Sequence, residues 1–410
     1  MSEPGPISPY GERRSGRSTV GAGSPPLAFI FSITVTGILA NTLVTAPLPD
    51  ILSHFGQPDT MAGWVTAAAT LPGILMAPVI GVLADRFGRR RVLVPCLIIF
   101  GIFGVAAAFS PSFPVLLACR FGQGFGSAGL INLAVVLIGD YWDGVQRARL
   151  LGFNAAVLTV SVAILPAVGG WLDQWGGWRW AFAPFAFALV TAAAAAILVP
   201  DFEPPESPHL LQQIRSSLAV LRQPLVATAI VGGFVLFALI FGLFLTVMPI
   251  LLEETYRLAP GARGIVFAVP ALGSTFAALM LGRTRARLGA RYLLIAGFVL
   301  LACGFWLIGA AGSLLLVCVG AFVYGLGEGS TIPTIQDLVA GGSPPPQRGA
   351  VVALWVGAAR AGQTTGPLLA ASALGGLTPS AVFLIGAVVA TVLFVVQLTS
   401  PPRWYDVLGH

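Results

Sequence analysis

The sequence predicts an all-α integral membrane protein whose twelve transmembrane helices form two pseudo-symmetric six-helix bundles. Of its 410 residues, 56% are hydrophobic and only 9% are charged, whereas soluble globular chains carry about 25% charged residues. The apolar residues fall in twelve runs, each near the length of about 20 residues that spans a bilayer. The second six runs also repeat features of the first six. These observations exclude an ordinary soluble enzyme.

The twelve runs are named span one to span twelve in chain order. They are predicted at residues 27–47, 62–83, 92–110, 115–139, 150–172, 180–199, 224–249, 264–281, 292–310, 314–338, 350–372 and 380–399. The longest polar internal connection divides them into two bundles. The predicted organisation is a disordered cytoplasmic tail over 1–26, bundles over 27–199 and 224–399, a cytoplasmic linker over 200–223 and a cytoplasmic tail over 400–410.

The arginines predict the orientation of the spans. The chain has 22 basic residues, all of them Arg, and seventeen lie in the tails and the even-numbered connections. Three lie in the opposite loops, and two, Arg120 and Arg360, lie within spans. The positive-inside rule therefore places both termini in the cytoplasm and the chain in the cell (inner) membrane. Because the basic residues orient helices in lipid, we expect the bilayer and not nucleic acid as a partner.

A shift of 201 residues superimposes the second half on the first. It places Gly282 on Gly81, and the same shift matches further pairs along the halves. These pairs include Arg287 on Arg86, Gly289 on Gly88, Gly325 on Gly124, Gly327 on Gly126 and Pro367 on Pro166. Two homologous halves are typical of a transporter with its site between them.

The most specific motif connects spans two and three. It runs from Gly81 to Arg91 and reads GVLADRFGRRR. This segment resembles the loop signature of the major facilitator superfamily, and the span number, central linker and repeated halves extend the resemblance over essentially the whole chain. The resemblance implies the major facilitator fold and a monomeric transporter that works by alternating access.

By resemblance, this loop is a cytoplasmic gate that latches the two halves together when the site is open to the outside. The residues assigned to the gate are Gly81, Asp85, Arg86, Gly88, Arg89, Arg90 and Asp140. We expect Gly81 to let span two pack closely on a neighbour and Gly88 to permit the turn. Asp140 is the expected partner of Arg89 or Arg90. Alternatively, the charges only orient the helices.

Spans five and eleven carry related Pro and Gly residues. Pro166, Gly169 and Gly170 of span five resemble, in part, the antiporter motif of exporters in the superfamily, although Ser161 and Leu165 replace two of its glycines. Gly366 and Pro367 of span eleven keep the front of the pattern. A Pro and small residues predict a bent helix in close contact with a neighbour, which fits a seal between the halves. The partial match favours export over uptake.

Three charged side chains are expected inside the membrane: Arg120 in span four, Glu328 in span ten and Arg360 in span eleven. Each costs about 2.5–3.5 kcal/mol on insertion scales unless it is paired or hydrated. We hypothesise that Glu328 exchanges a proton for substrate, tuned by Arg360 or Arg120. The alternatives are a static ion pair between Glu328 and Arg360, and an Arg120 held only by carbonyls and lipid headgroups.

The resemblance implies a central cavity lined by spans one, four, seven and ten, with contributions from five and eleven. The candidate lining residues are Asn41, Gln123, Asn154, Phe237, Phe241, Tyr324, Trp355 and Gln363. Aromatic rings suit a lipophilic or ring-bearing substrate. The leading prediction is a proton-coupled antiporter for multidrug or metabolite efflux, with a small hydrophobic or amphipathic molecule as substrate. A sugar or other metabolite carrier, or a non-transporting receptor, is the alternative.

Neither a metal nor a cofactor is predicted. The four Cys lie in apolar runs without metal-ligand spacing, and the three His are scattered through loops and the C-terminus. The sequence has no GxSxG, HExxH or Walker motif. The chain is therefore not expected to be an enzyme or an ATP-driven pump.

Overall fold

The computed structural model of the chain describes residues 24–200, 224–341 and 348–401. Within these ranges the secondary structure is helical, with no β-strand. The predicted all-α class is therefore confirmed. Most of the predicted linker and both predicted tails lie outside the described residues.

The N-terminal half contains the helices of spans one to six. They run over Leu27–Thr42, Ala62–Phe87, Arg89–Ala108, Phe113–Ser127 with Leu130–Tyr141, Gly144–Gly176, and Trp178–Ala186 with Phe187–Leu198. A short helix, Leu48–His54, and a 3₁₀ turn, Asp59–Met61, connect spans one and two. Span four is interrupted between Ser127 and Leu130, and the first nine residues of span six are 3₁₀ helix.

The C-terminal half contains the helices of spans seven to twelve. They run over Pro224–Leu239 with Ile240–Val247 and Met248–Glu254, Pro260–Val266 with Ala268–Gly309, Leu314–Gly341, Arg348–Ala373, and Pro379–Thr399. Ile240–Val247 is a π-helical segment in the middle of span seven. Ala268–Gly309 joins spans eight and nine across a kink at Gly289.

The two turns that follow spans two and eight have glycine at positions related by the 201-residue shift. Gly88 has φ 91° and ψ 151°, and Gly289 has φ 73° and ψ 166°. L-residues with a side chain rarely adopt positive φ, so glycine is needed at both turns. The 201-residue repeat seen in the sequence is therefore also a repeat of backbone conformation.

The helices have the lengths that a bilayer requires. Nine helical stretches in the described ranges are long and apolar enough to cross a membrane, and one of them, Pro260–Gly309, contains both span eight and span nine. Span one is a shorter apolar helix. Together with Arg348–Ala373 for span eleven, the helices occupy all twelve predicted positions.

Each half has its own hydrophobic core. The N-terminal core includes the fully buried rings of Phe100, Phe182 and Phe185. The C-terminal core includes those of Phe298, Phe305 and Phe383, which are equally buried. Within these cores, glycine residues allow the backbones of neighbouring helices to lie close together, as small residues do between membrane helices.

The halves meet through two pseudo-equivalent pairs of helices, span two with span eleven and span five with span eight. A side chain at Gly63 would meet the carbonyl group of Pro367, and a side chain at Gly264 would meet that of Pro166. The 201-residue shift places Gly264 on Gly63 and Pro367 on Pro166. The same contact between a glycine and a proline carbonyl therefore occurs twice, at positions related by the 201-residue shift.

These contacts lie on the side that the predicted orientation places outside the cell, here called the outer side. At the opposite ends of spans two and eight, which are predicted to face the cytoplasm, no neighbouring atom lies within 4 Å of the Cβ position of Gly81 or Gly282. The expectation that Gly81 packs closely on a neighbour is therefore wrong for this conformation. The reason is that the halves are joined on the outer side and spread apart at these glycines.

Candidate transport site and gates

Glu328 lies in the middle of span ten and is held by hydroxyl groups. The Ser274 hydroxyl of span eight donates to Glu328 Oε2 at 3.2 Å, and the Tyr324 hydroxyl lies within hydrogen-bonding reach. Glu328 is partly exposed. Among the salt bridges of the described residues, none joins it to Arg360. The static ion pair considered as an alternative is absent from this conformation.

Arg360 lies at the contact between spans two and eleven. Its Nη1 donates to Gln363 Oε1 at 3.2 Å, and its side chain packs 3.7 Å from the Cβ position of Gly73. One turn further out, the Thr364 hydroxyl donates to the Thr70 hydroxyl at 3.0 Å. Arg360 therefore lies next to the hydrogen-bonded interface of the two halves, on the side of Thr364 that is predicted to face the cytoplasm.

Each guanidinium nitrogen of Arg120 donates a hydrogen bond to a neutral acceptor. Only 1% of its surface is exposed, and it donates to Gln123 Oε1 at 2.6 Å, to the Ala40 carbonyl at 2.7 Å and to the Val65 carbonyl at 3.3 Å. These bonds tie spans one, two and four together. Arg120 makes no hydrogen bond or ion pair with Glu328 in the described part of the chain, so its role in proton coupling stays a prediction.

The residues predicted to line the cavity fall into two groups. Asn41, Phe237 and Gln363 are partly exposed. The others are buried in this conformation. These buried candidates are Gln123, Asn154, Phe241, Tyr324 and Trp355. They pack within their own halves: the Thr34 hydroxyl, for example, donates to Asn154 Oδ1 at 2.6 Å. Gln123 Nε2 and Trp355 Nε1 are buried without a hydrogen-bond partner.

Aromatic rings cluster on spans seven, ten and eleven. Phe237 packs edge-on against Trp355, with ring centroids 5.9 Å apart. Its ring is tilted relative to that of Phe241, with centroids 6.4 Å apart. Tyr324 stacks on Phe244 at 4.2 Å. The sequence did not single out Phe244, because 26 Phe residues give no signal that separates one from another.

The predicted cytoplasmic gate contains an ion-pair cluster. Arg89 contacts the carboxylates of both Asp85 and Asp140, the latter at 3.0 Å. All three residues belong to the N-terminal half, so these bonds do not latch the halves together here. Arg86 lies over the ring of Phe87. Arg90 is partly exposed at the start of span three.

The Pro and Gly residues of spans five and eleven pack tightly. A side chain at Gly169 would meet the Leu43 carbonyl of span one, and one at Gly170 would meet the Pro260 carbonyl of the other half. In span eleven, a side chain at Gly366 would meet the Ala238 carbonyl of span seven. Gly170, together with Pro166, thus lies in the outer contact between halves, while Gly169 and Gly366 bring helices of the same half together.

Sequence reasoning did not find several polar residues of the interface. Ser274, the partner of Glu328, is one of many serines and has no distinguishing spacing. Asp50 and Arg263 form an ion pair between the halves on the outer side, and Asp173 lies close to them. Asp173 was missed because the prediction ended span five one residue earlier, which made it a loop residue. The structure continues that helix to Gly176.

Comparisons with known proteins identify relatives over the whole length. The family described as the Major Facilitator Superfamily matches residues 28–259 and 230–406. The bacillibactin exporter of Bacillus subtilis (strain 168) is 26% identical over 354 residues, which cover 82% of this chain and 86% of that protein. The chloramphenicol resistance protein of Streptomyces lividans is 30% identical over 366 residues, which cover 85% and 89%.

Solved structures share the fold. A bacterial homologue of the human lysosomal transporter Spinster, in an inward-facing and occupied conformation, superimposes with a TM-score of 0.74 at 17% identity, covering 92% of this chain and 97% of that one. The nucleoside transporter NupG gives a TM-score of 0.73 at 13% identity, with 90% and 99% covered.

Proposed function

Because the chain belongs to the major facilitator superfamily, we propose that it is a proton-coupled exporter of hydrophobic or amphipathic small molecules. Family membership makes it a multi-pass membrane transporter and not an enzyme. The direction of transport, the substrate class and the coupling ion are the proposed part. Its place in the cytoplasmic membrane, with both termini in the cytoplasm, and its action as a monomer belong to the same proposal.

The relatives support export. Two that align with most of this chain are named an exporter and a drug-resistance protein. A third, the multidrug transporter protein MdtP of Bacillus subtilis, is 33% identical over 144 residues. One name states export and the other two state drug resistance and multidrug transport, and these names together favour outward movement of small organic molecules by this chain.

The surroundings of Glu328 carry the proposal of proton coupling. Its carboxyl group lies between membrane helices with the hydroxyl groups of Ser274 and Tyr324 as partners and no arginine in ion-pair contact. A carboxylate there has little to offset the cost of leaving water, so uptake of a proton is favoured. Hydroxyl groups can serve both protonation states, since each can donate to a carboxylate or accept from a carboxylic acid.

Alternating access explains how the proton and the substrate exchange. The outer contacts, Gly63 on Pro367 and Gly264 on Pro166, are built from small residues that can part without breaking a large apolar core. With the outer contacts closed and open space at Gly81 and Gly282, the proposed site would open toward the cytoplasm, where substrate would enter. Opening the outer contacts and closing the cytoplasmic ends would then expose the site to the outside.

Everted membrane vesicles test the proposal. With an acidified interior, addition of a transported compound such as chloramphenicol should release protons and reverse the quenching of an acid-accumulating dye. Vesicles without the protein are the baseline. The proposal fails if a panel of lipophilic drugs that includes chloramphenicol gives neither dye reversal nor proton-dependent accumulation.

A further inference from the structure

An ion cluster with members from both halves closes the outer side. Arg263, at the start of span eight, is only 1% exposed and forms an ion pair with Asp50 of the short helix Leu48–His54. Asp173, near the end of span five, is 6% exposed. Its carboxyl group lies within hydrogen-bonding reach of that of Asp50. The cluster thus joins span five and the outer end of span one to span eight.

The buried members of the cluster have unused hydrogen-bonding groups. Asp173 Oδ2 has no partner, and neither do Arg263 Nε and Nη1. Leaving a buried polar atom unpaired costs about 1–3 kcal/mol, and more when the group is charged. Asp173 Oδ2 is therefore a position where a bound proton would relieve an unfavourable arrangement.

The charges of the cluster do not balance. The Arg263 guanidinium pairs with Asp50, whose side chain is 41% exposed. The buried Asp173 carboxylate therefore carries a negative charge with no cation in ion-pair contact among the described residues. Two carboxyl groups in contact do not both ionise readily, and one of them keeps its proton. A single proton between Asp50 and Asp173 supplies the missing hydrogen bond and makes the cluster neutral.

The neighbouring ionisable groups do not supply the missing positive charge. On the elements packed around the cluster, Arg179 is engaged with His54 at 3.3 Å. Glu254 is engaged with Asp59, with Glu253 and Arg257 beside it. Around the cluster, Gln174 Oε1 accepts from the Gly261 amide at 3.2 Å, and Gly170 lies against Pro260. This packing shields the Asp173 carboxyl group from outside water while the halves are closed.

We propose that Asp50 and Asp173 form a second proton-binding site, and that a proton bound between them is required to close the outer side. When the outer side is open, water reaches both carboxylates and solvates their charges. Closure brings Arg263 onto Asp50 and buries Asp173, and with it one proton from the medium binds to the Asp50–Asp173 pair. The inference rests on the proposed function in one respect. If the protein is an exporter, external protons would favour its return, after substrate release, to the conformation that is open to the cytoplasm.

Spin labels can measure closure without a substrate. Ser112 and Ser313 are exposed on outer connections of the two halves, and the 201-residue shift relates them. Both are changed to Cys after Cys96, Cys119, Cys303 and Cys318 have been replaced by Ala, and the distance between the labels is measured in nanodiscs between about pH 5 and 9. If closure binds one proton, the ratio of the short to the long distance should fall up to about tenfold per pH unit as the pH rises.

Three variants test whether the pH response comes from the Asp50–Asp173 pair. Asp173→Asn should keep the short distance at every pH, because the amide makes the cluster neutral without a proton. Asp59→Asn and His54→Gln should keep the pH response of the parent protein. The proposal is overturned if the parent shows no pH response, if Asp173→Asn responds as the parent does, or if His54→Gln abolishes the response. Since no substrate is present, each of these results leaves proton-coupled export to be decided by the vesicle assay.

Discussion

At the scale of single residues, the protein accommodates its intramembrane charges in different ways. Arg120 has three neutral acceptors at 2.6–3.3 Å and is almost fully buried. Glu328 has hydroxyl partners and remains partly exposed. A side chain whose three nitrogens all have partners stabilises one arrangement, whereas one that can gain or lose a proton suits a cycle. We therefore expect Arg120 to act mainly in stability, and we propose Glu328 as the coupling residue.

Replacing Arg120 should therefore lower stability. In Arg120→Met, the Ala40 and Val65 carbonyls and the Gln123 amide lose a charged donor, at a cost of about 2–3 kcal/mol. Thermal unfolding in detergent should occur several degrees lower, while Arg283→Met, at an exposed arginine, should leave it unchanged. An Arg120→Met protein with normal stability but no proton coupling would instead assign Arg120 to the coupling mechanism.

At the scale of the helices, close contact of glycine with backbone closes the outer side. A methyl group at Gly264 would lie too close to the Pro166 carbonyl and the Ala167 backbone, whereas Gly152 of span five has open space around its Cβ position. Rigid backbone atoms cannot yield as the end of a side chain can. The contact of span five with span eight at Gly264 is therefore more sensitive to added volume than an open position such as Gly152.

Two matched substitutions measure that sensitivity. Gly264→Ala should shift the Ser112–Ser313 label pair toward the long distance, because the outer side no longer closes fully. Gly152→Ala should leave the distance unchanged and stabilise its helix by up to about 1 kcal/mol, the difference in helix propensity. If Gly264→Ala closes as completely as the parent protein, this contact does not control the outer side.

The cytoplasmic gate should contribute little to stability. Arg89 is partly exposed and its two acidic partners are exposed, and ion pairs at exposed sites contribute about 0–1 kcal/mol each. Arg89→Gln should thus leave the unfolding temperature nearly unchanged while slowing initial transport several-fold, because the loop guides closure of the cytoplasmic side. Normal transport by Arg89→Gln vesicles would argue against a gating role.

The positions of the helices could be predicted because each has a local signal: a run of apolar residues, a glycine where φ is positive, or an arginine on the cytoplasmic side. The loop motif and the 201-residue repeat also indicated the family. The burial of Gln123 and Tyr324, and the open space at Gly81, could not be predicted. They depend on how helices rotate and on which side of the halves is closed, and no local pattern encodes either.

At the scale of the whole molecule, two similar halves meet through contacts made twice. Gly63 with Pro367 and Gly264 with Pro166 relate the halves by the same shift that relates their sequences. The charges break this symmetry: Asp85 has Ala286 as its counterpart, and Glu328 has Ser127. The symmetric packing suits the proposed motion between two open states. Glu328, which has no acidic counterpart in the other half, is a proposed proton site.

The central claim, that Glu328 exchanges its proton during transport, is tested most directly by Glu328→Gln in proteoliposomes. The amide can still bond to Ser274 and Tyr324 but cannot ionise, so we predict loss of accumulation driven by a pH gradient, with substrate exchange across the membrane retained. Glu253→Gln, at an exposed acid on the outer side, is the matched control and should accumulate substrate normally. Gradient-driven accumulation by Glu328→Gln at the rate of the parent protein would contradict the account.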